Sequence, residues 1–409
     1  MTTTPSLQTE ALLRLRPSSL LHSQHFRTAK SSASAAPHYP AAEFPTVSFF
    51  SGSGGLDLGF DAVGFDSRFV SDIDPYSCVS VQWGKSEAAR RDKGLFERAT
   101  VVQEDIRDLD SGFVLEAASL SRGEVALLAG GPPCQAFSVF GKRRGRQDDR
   151  GMLVYEYLRL LARLEPENFV FENVYGLLSV EGGAVFRDLC EKLEEPKKGL
   201  RYTLSVLRMD AANYGVPQYR DRVFIIGSRR GIKVPPPDFI TDRPEDSGLF
   251  PLKRFRTVRD AFRGLPSISS SYPPNHTGRA HSDRIITRYA SMKPGQRDHF
   301  TRINKLDLDR PSFTIIVGSD KGGGKGHVHP IEPREVTPRE SARIQTFPDW
   351  WAFSGSVRHP IRQVGNAVPP LLAATLGNAL RVALFDRPPV PFSVILDRLD
   401  QKHLFEDDV

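Results

Sequence analysis

Cysteine is scarce in this chain. Its 409 residues hold three, Cys78, Cys134 and Cys190, an odd number, widely spaced and without a C-x-x-C pair. That count excludes a disulfide framework and a zinc site, and it suits a reducing compartment. No stretch approaches the ~18 uninterrupted apolar residues that a membrane span needs. The N-terminus lacks the compact apolar core of a secretory signal. No internal repeat is visible, which sets aside a repeat architecture. A soluble, cytoplasmic protein with no membrane partner and no metal is the expectation.

What is present is ordinary in bulk. With 39% hydrophobic and 25% charged residues, the chain can bury one large core or two medium ones. A formal net charge of +6 suits a polyanionic partner, although charge alone identifies none. Residues 1–45 are rich in Ser, Ala, Thr and Pro, with Arg14, Arg16, Arg27 and Lys30 against Glu10 and Glu43. They read as a disordered basic arm rather than an organellar transit peptide.

Order begins at Thr46-Val-Ser-Phe-Phe50, a β-prone run leading into Ser51-Gly-Ser-Gly-Gly-Leu-Asp-Leu-Gly59 and an apolar helical pattern. A strand, a glycine turn and a helix let a ligand approach the backbone at a helix N-terminus, as in nucleotide-binding α/β folds. The dinucleotide fingerprint wants a third glycine where Asp57 stands, which counts against NAD. A second apolar run ends at Asp72, where such folds hold a ribose through its hydroxyls. A third ends at Asp105-Ile106, although Asp105 alone is equally readable as a helix cap.

The fourth run, Val125 to Ala129, stops at two glycines and two prolines that neither continue a strand nor start a helix. Cys134 follows at once, at the mouth of a sheet; taken alone it is also readable as a buried cysteine after a turn. The charged run Lys142-Arg-Arg-Gly-Arg-Gln-Asp-Asp-Arg150 is either a solvated loop or one that closes on phosphates. A helix is expected over 152–164, then a strand from Asn168 that delivers Glu172-Asn173-Val174 at its carboxyl end. Two more strands, 202–209 and 222–227, are joined through Gln218-Tyr-Arg220-Asp-Arg222. From Pro235 the texture changes to prolines, serines, basic residues and histidines. A periodic apolar helix returns only from Gln363 to Leu384.

This ordered set of motifs resembles the cytosine-5 DNA methyltransferases of the bacterial modification type. Six blocks stand in that family's order between about Thr46 and Leu384: Phe50-Ser-Gly-Ser-Gly-Gly, Gly131-Pro-Pro-Cys134-Gln, Phe171-Glu-Asn-Val174, Gln218-Tyr-Arg-Asp-Arg222, Arg339-Glu-Ser-Ala-Arg-Ile-Gln and Gln363-Val-Gly-Asn-Ala-Val-Pro. The resemblance implies an α/β, Rossmann-like, doubly wound sheet binding S-adenosylmethionine, with a smaller, irregular target-recognition domain. It divides the chain into a catalytic and cofactor-binding domain at 46–235, a target-recognition domain and hinge at 236–361, a helix at 362–386 returning to the first domain, and a tail at 387–409.

By the same resemblance, Cys134 is the nucleophile for cytosine carbon 6, Glu172 the carboxyl against N3 and the exocyclic amine, and Arg222, supported by Arg220, the cation at O2. Phe50 faces the adenine, while Gly52, Gly54, Gly55 and Leu56 form the cofactor turn. Asp72 and Ile73 take the ribose and adenine side, Asp105 and Ile106 the adenine edge, and Asn366 and Val368 the methionine side. Gln135, Ser138, Lys142, Arg143, Arg144, Thr314 and Ile315 are the implied DNA contacts. The partner is then double-stranded DNA from which the target base is flipped, the protein a monomer in the bacterial cytoplasm, and a cognate restriction endonuclease a companion on the same site.

Two departures stand out. Tyr175 replaces the proline that often follows Glu-Asn-Val, and Ile73 replaces the family's frequent aromatic. Neither removes a reacting group. A branch of the family that methylates transfer RNA prefers Pro-Phe-Thr after Cys-Gln, where this chain has Ala136-Phe137-Ser138. A silent DNA-binding relic would show loss of the cysteine, the glutamate or the glycine turn, and all three are present.

Overall fold

Seven apolar runs pair into one sheet: β1 (Phe44–Phe49), β2 (Phe65–Asp72), β3 (Thr100–Gln103), β4 (Leu127–Gly130), β5 (Asn168–Val174), β6 (Thr203–Asp210) and β7 (Asp221–Ser228). This is a computed structural model, and it describes residues 39–133, 152–242, 253–268, 271–300, 302–315, 326–356 and 358–408. The strand order is β3-β2-β1-β4-β5-β7-β6. β1 to β5 run parallel, and β7 lies antiparallel between β5 and β6. The order reverses between β1 and β4, so a crevice opens beyond their carboxyl ends, the place where open α/β sheets bind ligands.

Both faces of the sheet are covered. Helices α1 (Gly55–Ala62), α2 (Pro75–Arg90), α3 (Ser111–Ala118), α4 (Met152–Leu164) and α5 (Ala184–Glu194) lie between successive strands. Successive strand residues point to opposite faces. Thus Leu127 and Ala129 join one apolar cluster and Leu128 the other, and Phe224 and Ile226 alternate with Val223 and Ile225 in the same way. The central strands are apolar on both sides, as parallel strands buried on both faces must be. The edge strand β6 alternates instead, with Val206 and Arg208 exposed.

Beyond β7 the texture is as irregular as the composition implies. Residues 236–335 contribute two short strands, Thr241–Asp242 and Lys253–Arg254, and helices α6 (Val258–Phe262) and α7 (Asp283–Ser291). Helix α8 (Pro338–Ile344) opens on a capping box: the Thr337 hydroxyl accepts from the Glu340 N–H and Glu340 accepts from the Thr337 N–H.

The structure corrects three boundaries. Ordered structure is already present at Tyr39, ahead of Thr46: the Tyr39 hydroxyl donates to Asp397 Oδ2 at 2.6 Å. Residues 1–38 of the basic arm lie outside the described residues. The returning helix is two helices, α9 (Arg358–Asn366) and α10 (Pro370–Phe385), because Pro369 and Pro370 cannot extend the first. Both are packed into the body, α10 against α1 in the first apolar cluster. The tail is an ordered clasp containing α11 (Phe392–Arg398). From α11 the buried Arg398 donates to the carbonyls of Asp61 and Ala62, where α1 ends, and of Lys93 and Gly94 in the loop after α2. These orphan carbonyls need donors, and a guanidinium supplies several in one side chain.

Candidate active site

The crevice at the switch point has two ends. At the β1 end the chain leaves Phe49, and Phe50 adopts φ 56, a left-handed conformation that a bulky residue takes only where its surroundings demand it. The Gly52 N–H donates to Asp72 Oδ2 at 2.8 Å, and the Asp74 N–H to Asp72 Oδ1 at 2.8 Å. The last residue of β2 thereby fixes the glycine turn that opens α1. Burial pushes the Asp72 carboxyl up, and these two N–H groups oppose that.

The segment joining α9 to α10 closes against this turn. A Cβ at Gly55 would lie 2.3 Å from the Val368 carbonyl oxygen, so only glycine permits the approach. Ser53 Oγ donates to the Gln363 carbonyl at 3.4 Å. Leu56, Ile106 and Val368 are buried, whereas Asn366 and Ile73 are exposed. Ile73 at 59% exposure is an apolar face beside the Asp72 carboxylate. Asp105 is already engaged: Arg107 Nε lies 3.0 Å from both its oxygens and the Arg107 N–H donates to it, which holds its carboxyl below the ordinary value. The Asp72 acceptor and the apolar surface of Ile73 are a pairing that a nucleoside could use, while Asp105 is held by Arg107.

At the other end, β4 stops at Gly130 beside Phe171 of β5. A side chain on the next residue, Gly131, would displace the Glu172 carboxyl, because a Cβ there would lie 2.5 Å from Glu172 Oε2. Asn173 Nδ2 donates to the Pro132 carbonyl at 2.8 Å and pins the start of the loop to β5. Cys134 itself, with Gln135, Ser138, Lys142, Arg143 and Arg144, lies outside the described residues.

Glu172 meets Arg222 Nε at 2.9 Å, brought opposite by the β5–β7 pairing in which Val174 faces Arg222. Burial raises the Glu172 carboxyl above its ordinary value, against the pull of Arg222 and then Arg220. Arg220 is 1% exposed and turns the other way: its Nη2 donates to the carbonyls of Gly365 and Ala367, each at 2.8 Å. Its Nε and Nη1 have no hydrogen-bond partner among the described residues. A buried carboxyl beside fixed cations at the end of a sheet can exchange a proton with a ring nitrogen and stabilise charge developing on a base.

Thr314 and Ile315 run alongside the loop before Arg220. Ser312 N–H donates to Pro217 O, Tyr219 N–H to Ser312 O, and Thr314 Oγ1 to Tyr219 O at 2.7 Å. Thr314 is exposed, while the Ile315 side chain is buried in the first cluster. His327 supports Thr314, its Nε2 lying 3.2 Å from the Thr314 carbonyl oxygen. Sequence reasoning gave no role to Gly131, Asn173 or Gln345. For the first two the signal lay in the motifs themselves, which place glycine and asparagine where the two loops touch.

The comparisons agree with this geometry. The family model for C-5 cytosine-specific DNA methylase matches residues 44–381. Type II methyltransferase M.XorII of Xanthomonas oryzae pv. oryzae is 31% identical over 384 residues, covering 85% of this chain and 87% of its own. Type II methyltransferase M.PspPI of a Psychrobacter species is 32% identical over 363 residues, covering 83% and 80%. Among solved structures, a DNA modification methyltransferase encoded within an E. coli prophage superposes with a TM-score of 0.64 at 26% identity, over 84% of this chain and 100% of that one. The S. pombe Dnmt2 methyltransferase, at 15% identity and a TM-score of 0.54 over 82% and 98%, shares the fold. With the glycine turn, the Gly131 loop, Glu172 and Arg222 assembled at one crevice, the chain belongs to the C-5 cytosine-specific DNA methylase family.

Proposed function

We propose that this enzyme transfers a methyl group to carbon 5 of a cytosine flipped out of double-stranded DNA, through a covalent adduct on Cys134. Carbon 5 is too electron-poor to take a methyl group unaided. Adding the Cys134 thiolate to carbon 6 forms an S–C6 bond and pushes electron density to carbon 5, while Glu172 shares its proton with N3. Once carbon 5 is methylated, loss of its proton and cleavage of the S–C6 bond restore the ring. Arg222 orients the base at O2 and steadies Glu172.

S-adenosylmethionine supplies the methyl group when bound. Asp72 would hold its ribose, Phe50 and Ile73 its adenine, and the Gly52–Leu56 turn with Asn366 and Val368 its methionine side. Residues 236–361 would close over the DNA and carry the choice of sequence, with Thr314 against the backbone and the Lys142–Arg144 loop on phosphates. That contact helps offset the ~few kcal/mol of unstacking that flipping costs. On this reading the enzyme works in the bacterial cytoplasm as a monomer, with a cognate endonuclease as its companion.

The observation that carries the reading is the carboxyl of Glu172, raised by burial, pressed against Gly131 and paired to Arg222 at 2.9 Å. The test is expression in a host lacking cytosine methylation, followed by bisulfite sequencing of its DNA. Protected cytosines at one recurrent sequence are expected. An unmarked genome from a host making folded protein would overturn the reading, as would 5-methylcytosine confined to transfer RNA.

A further inference from the structure

Two buried glutamines join parts of the site that are far apart in sequence. Gln218 and Gln345 are fully buried, and Gln218 Nε2 donates to Gln345 Oε1 at 2.7 Å. On one side, the Ile315 N–H donates to Gln218 Oε1 at 3.2 Å. On the other, Gln345 Nε2 donates to the carbonyls of Val364 at 2.7 Å and Ala367 at 3.0 Å. The Ala367 carbonyl also accepts from Arg220 Nη2. The chain of donors therefore runs in one direction, from the Ile315 N–H to the Val364 and Ala367 carbonyls, and an apolar side chain at either position would break it.

We infer that the Gln218–Gln345 pair is a positioning relay, which ties the seating of the Thr314–Ile315 segment on DNA to the Gly365–Val368 segment that closes the cofactor pocket. The inference rests on the proposed roles of those two segments. Its physical ground is that both segments hang from one short, buried polar network. The 312–315 segment is laid on residues 217–219 by backbone pairing, and the chain runs on from there to Arg220, which holds the Gly365 and Ala367 carbonyls, and to Arg222, which meets Glu172. A shift of Ile315 moves the Gln218 acceptor, Gln345 follows, and the Ala367 carbonyl carries the shift to Val368, whose own carbonyl lies against Gly55. Buried networks of this kind are costly when half satisfied, so intermediate positions are disfavoured. Two ligands that both bias such an element are coupled, and the coupling is reciprocal.

The relay predicts that DNA and cofactor tighten each other through these amides. Affinity for S-adenosylhomocysteine is measured by calorimetry on the full chain, with and without a duplex carrying the site found by bisulfite sequencing. In wild type the duplex should tighten binding about fivefold or more, the lower end of ordinary coupling. In Gln218→Met and Gln345→Met the factor should fall to about one to two, while binding without DNA changes less than about threefold. Gln345→Asn keeps the amide but is one methylene short of its partners, and it should lose the factor likewise, which covers a methionine variant that fails to fold. A purely structural role would leave the factor intact in every folded variant, and that result overturns the relay. So does a wild type that methylates its site without any coupling. A wild type that methylates no DNA instead removes the underlying reading of the site.

Discussion

Glu172 occupies the space that any side chain at position 131 would need: a Cβ on Gly131 would lie 2.5 Å from Glu172 Oε2. Gly131→Ala should therefore push the carboxyl away from where it meets Arg222, at 2.9 Å, and from the base beyond. A displacement of about an ångström in a reacting group costs on the order of 100-fold in rate. We expect kcat to fall by about that factor with the thermal midpoint nearly unchanged, because strand β4 ends one residue earlier. Methylation kinetics alongside thermal melts check this; wild-type turnover in Gly131→Ala would show that Glu172 tolerates the move.

Much of this site was legible because chemistry and pattern coincide. Asp72 and Glu172 are acids that terminate apolar runs, and a strand's carboxyl end is where such sheets bind ligands. What stayed hidden depends on long-range packing. Arg220 and Arg222 are two residues apart and read as a pair, yet the strand pairing sends Arg222 to Glu172 and leaves Arg220 on the Gly365 and Ala367 carbonyls. Asp105 carries no mark of its pairing with Arg107, since neighbouring opposite charges are common on any surface. Arg398 lies in what composition describes as a tail, and nothing local says that it caps a helix more than 300 residues earlier.

Asp72 does two jobs in the structure, and they can be separated. Its carboxylate fixes the glycine turn through Gly52 and is the proposed partner of the ribose hydroxyls. Asp72→Ala should weaken S-adenosylmethionine binding by ~1–3 kcal/mol through lost charge-assisted hydrogen bonds and a loosened turn. Asp72→Asn keeps one acceptor for the Gly52 N–H and should lose less. Calorimetric titration decides: equal affinity for both folded variants and wild type would remove Asp72 from the cofactor site.

Asp57 stands where a dinucleotide fingerprint would have glycine, and its side chain is 1% exposed in the first turn of α1. Among the described residues neither carboxylate oxygen has a hydrogen-bond partner within 3.5 Å, and burial pushes its carboxyl up to about 7, against a weaker pull from the nearby Ser48 hydroxyl. The folded state thus binds this proton more tightly than the unfolded state, where an aspartate titrates near ~4. Stability from this group is lost as pH rises from about 4 through 7, at ~1.4 kcal/mol per unit. Asp57→Asn removes that slope. Between pH 5 and 7 the variant should gain ~2–3 kcal/mol relative to wild type in urea denaturation. Parallel stability profiles would mean that Asp57 is ionised in the fold or solvated as it breathes.

The proposed chemistry turns on Cys134, whose loop is anchored through Gly131 and Pro132 to Glu172 and Asn173. A free thiol is mostly protonated near neutral pH, so the site must either lower its pKa or deprotonate it as the base docks. Attack on carbon 6 makes a bond that is normally broken when carbon 5 gives up its proton. With 5-fluorocytosine in the target site that proton is replaced by fluorine, which cannot leave as a cation, and the adduct persists. Wild type with S-adenosylmethionine should form a complex with fluorinated duplex that survives denaturing electrophoresis, and Cys134→Ser should form none. Glu172→Gln should form it at least 100-fold more slowly, because N3 then lacks its proton source at the moment of attack. Arg222→Lys keeps the charge but not the fixed Nε contact to Glu172, and should fall between the two. An adduct as abundant with Cys134→Ser as with wild type, or no adduct from a wild type that methylates the same site, would eliminate covalent catalysis at this cysteine.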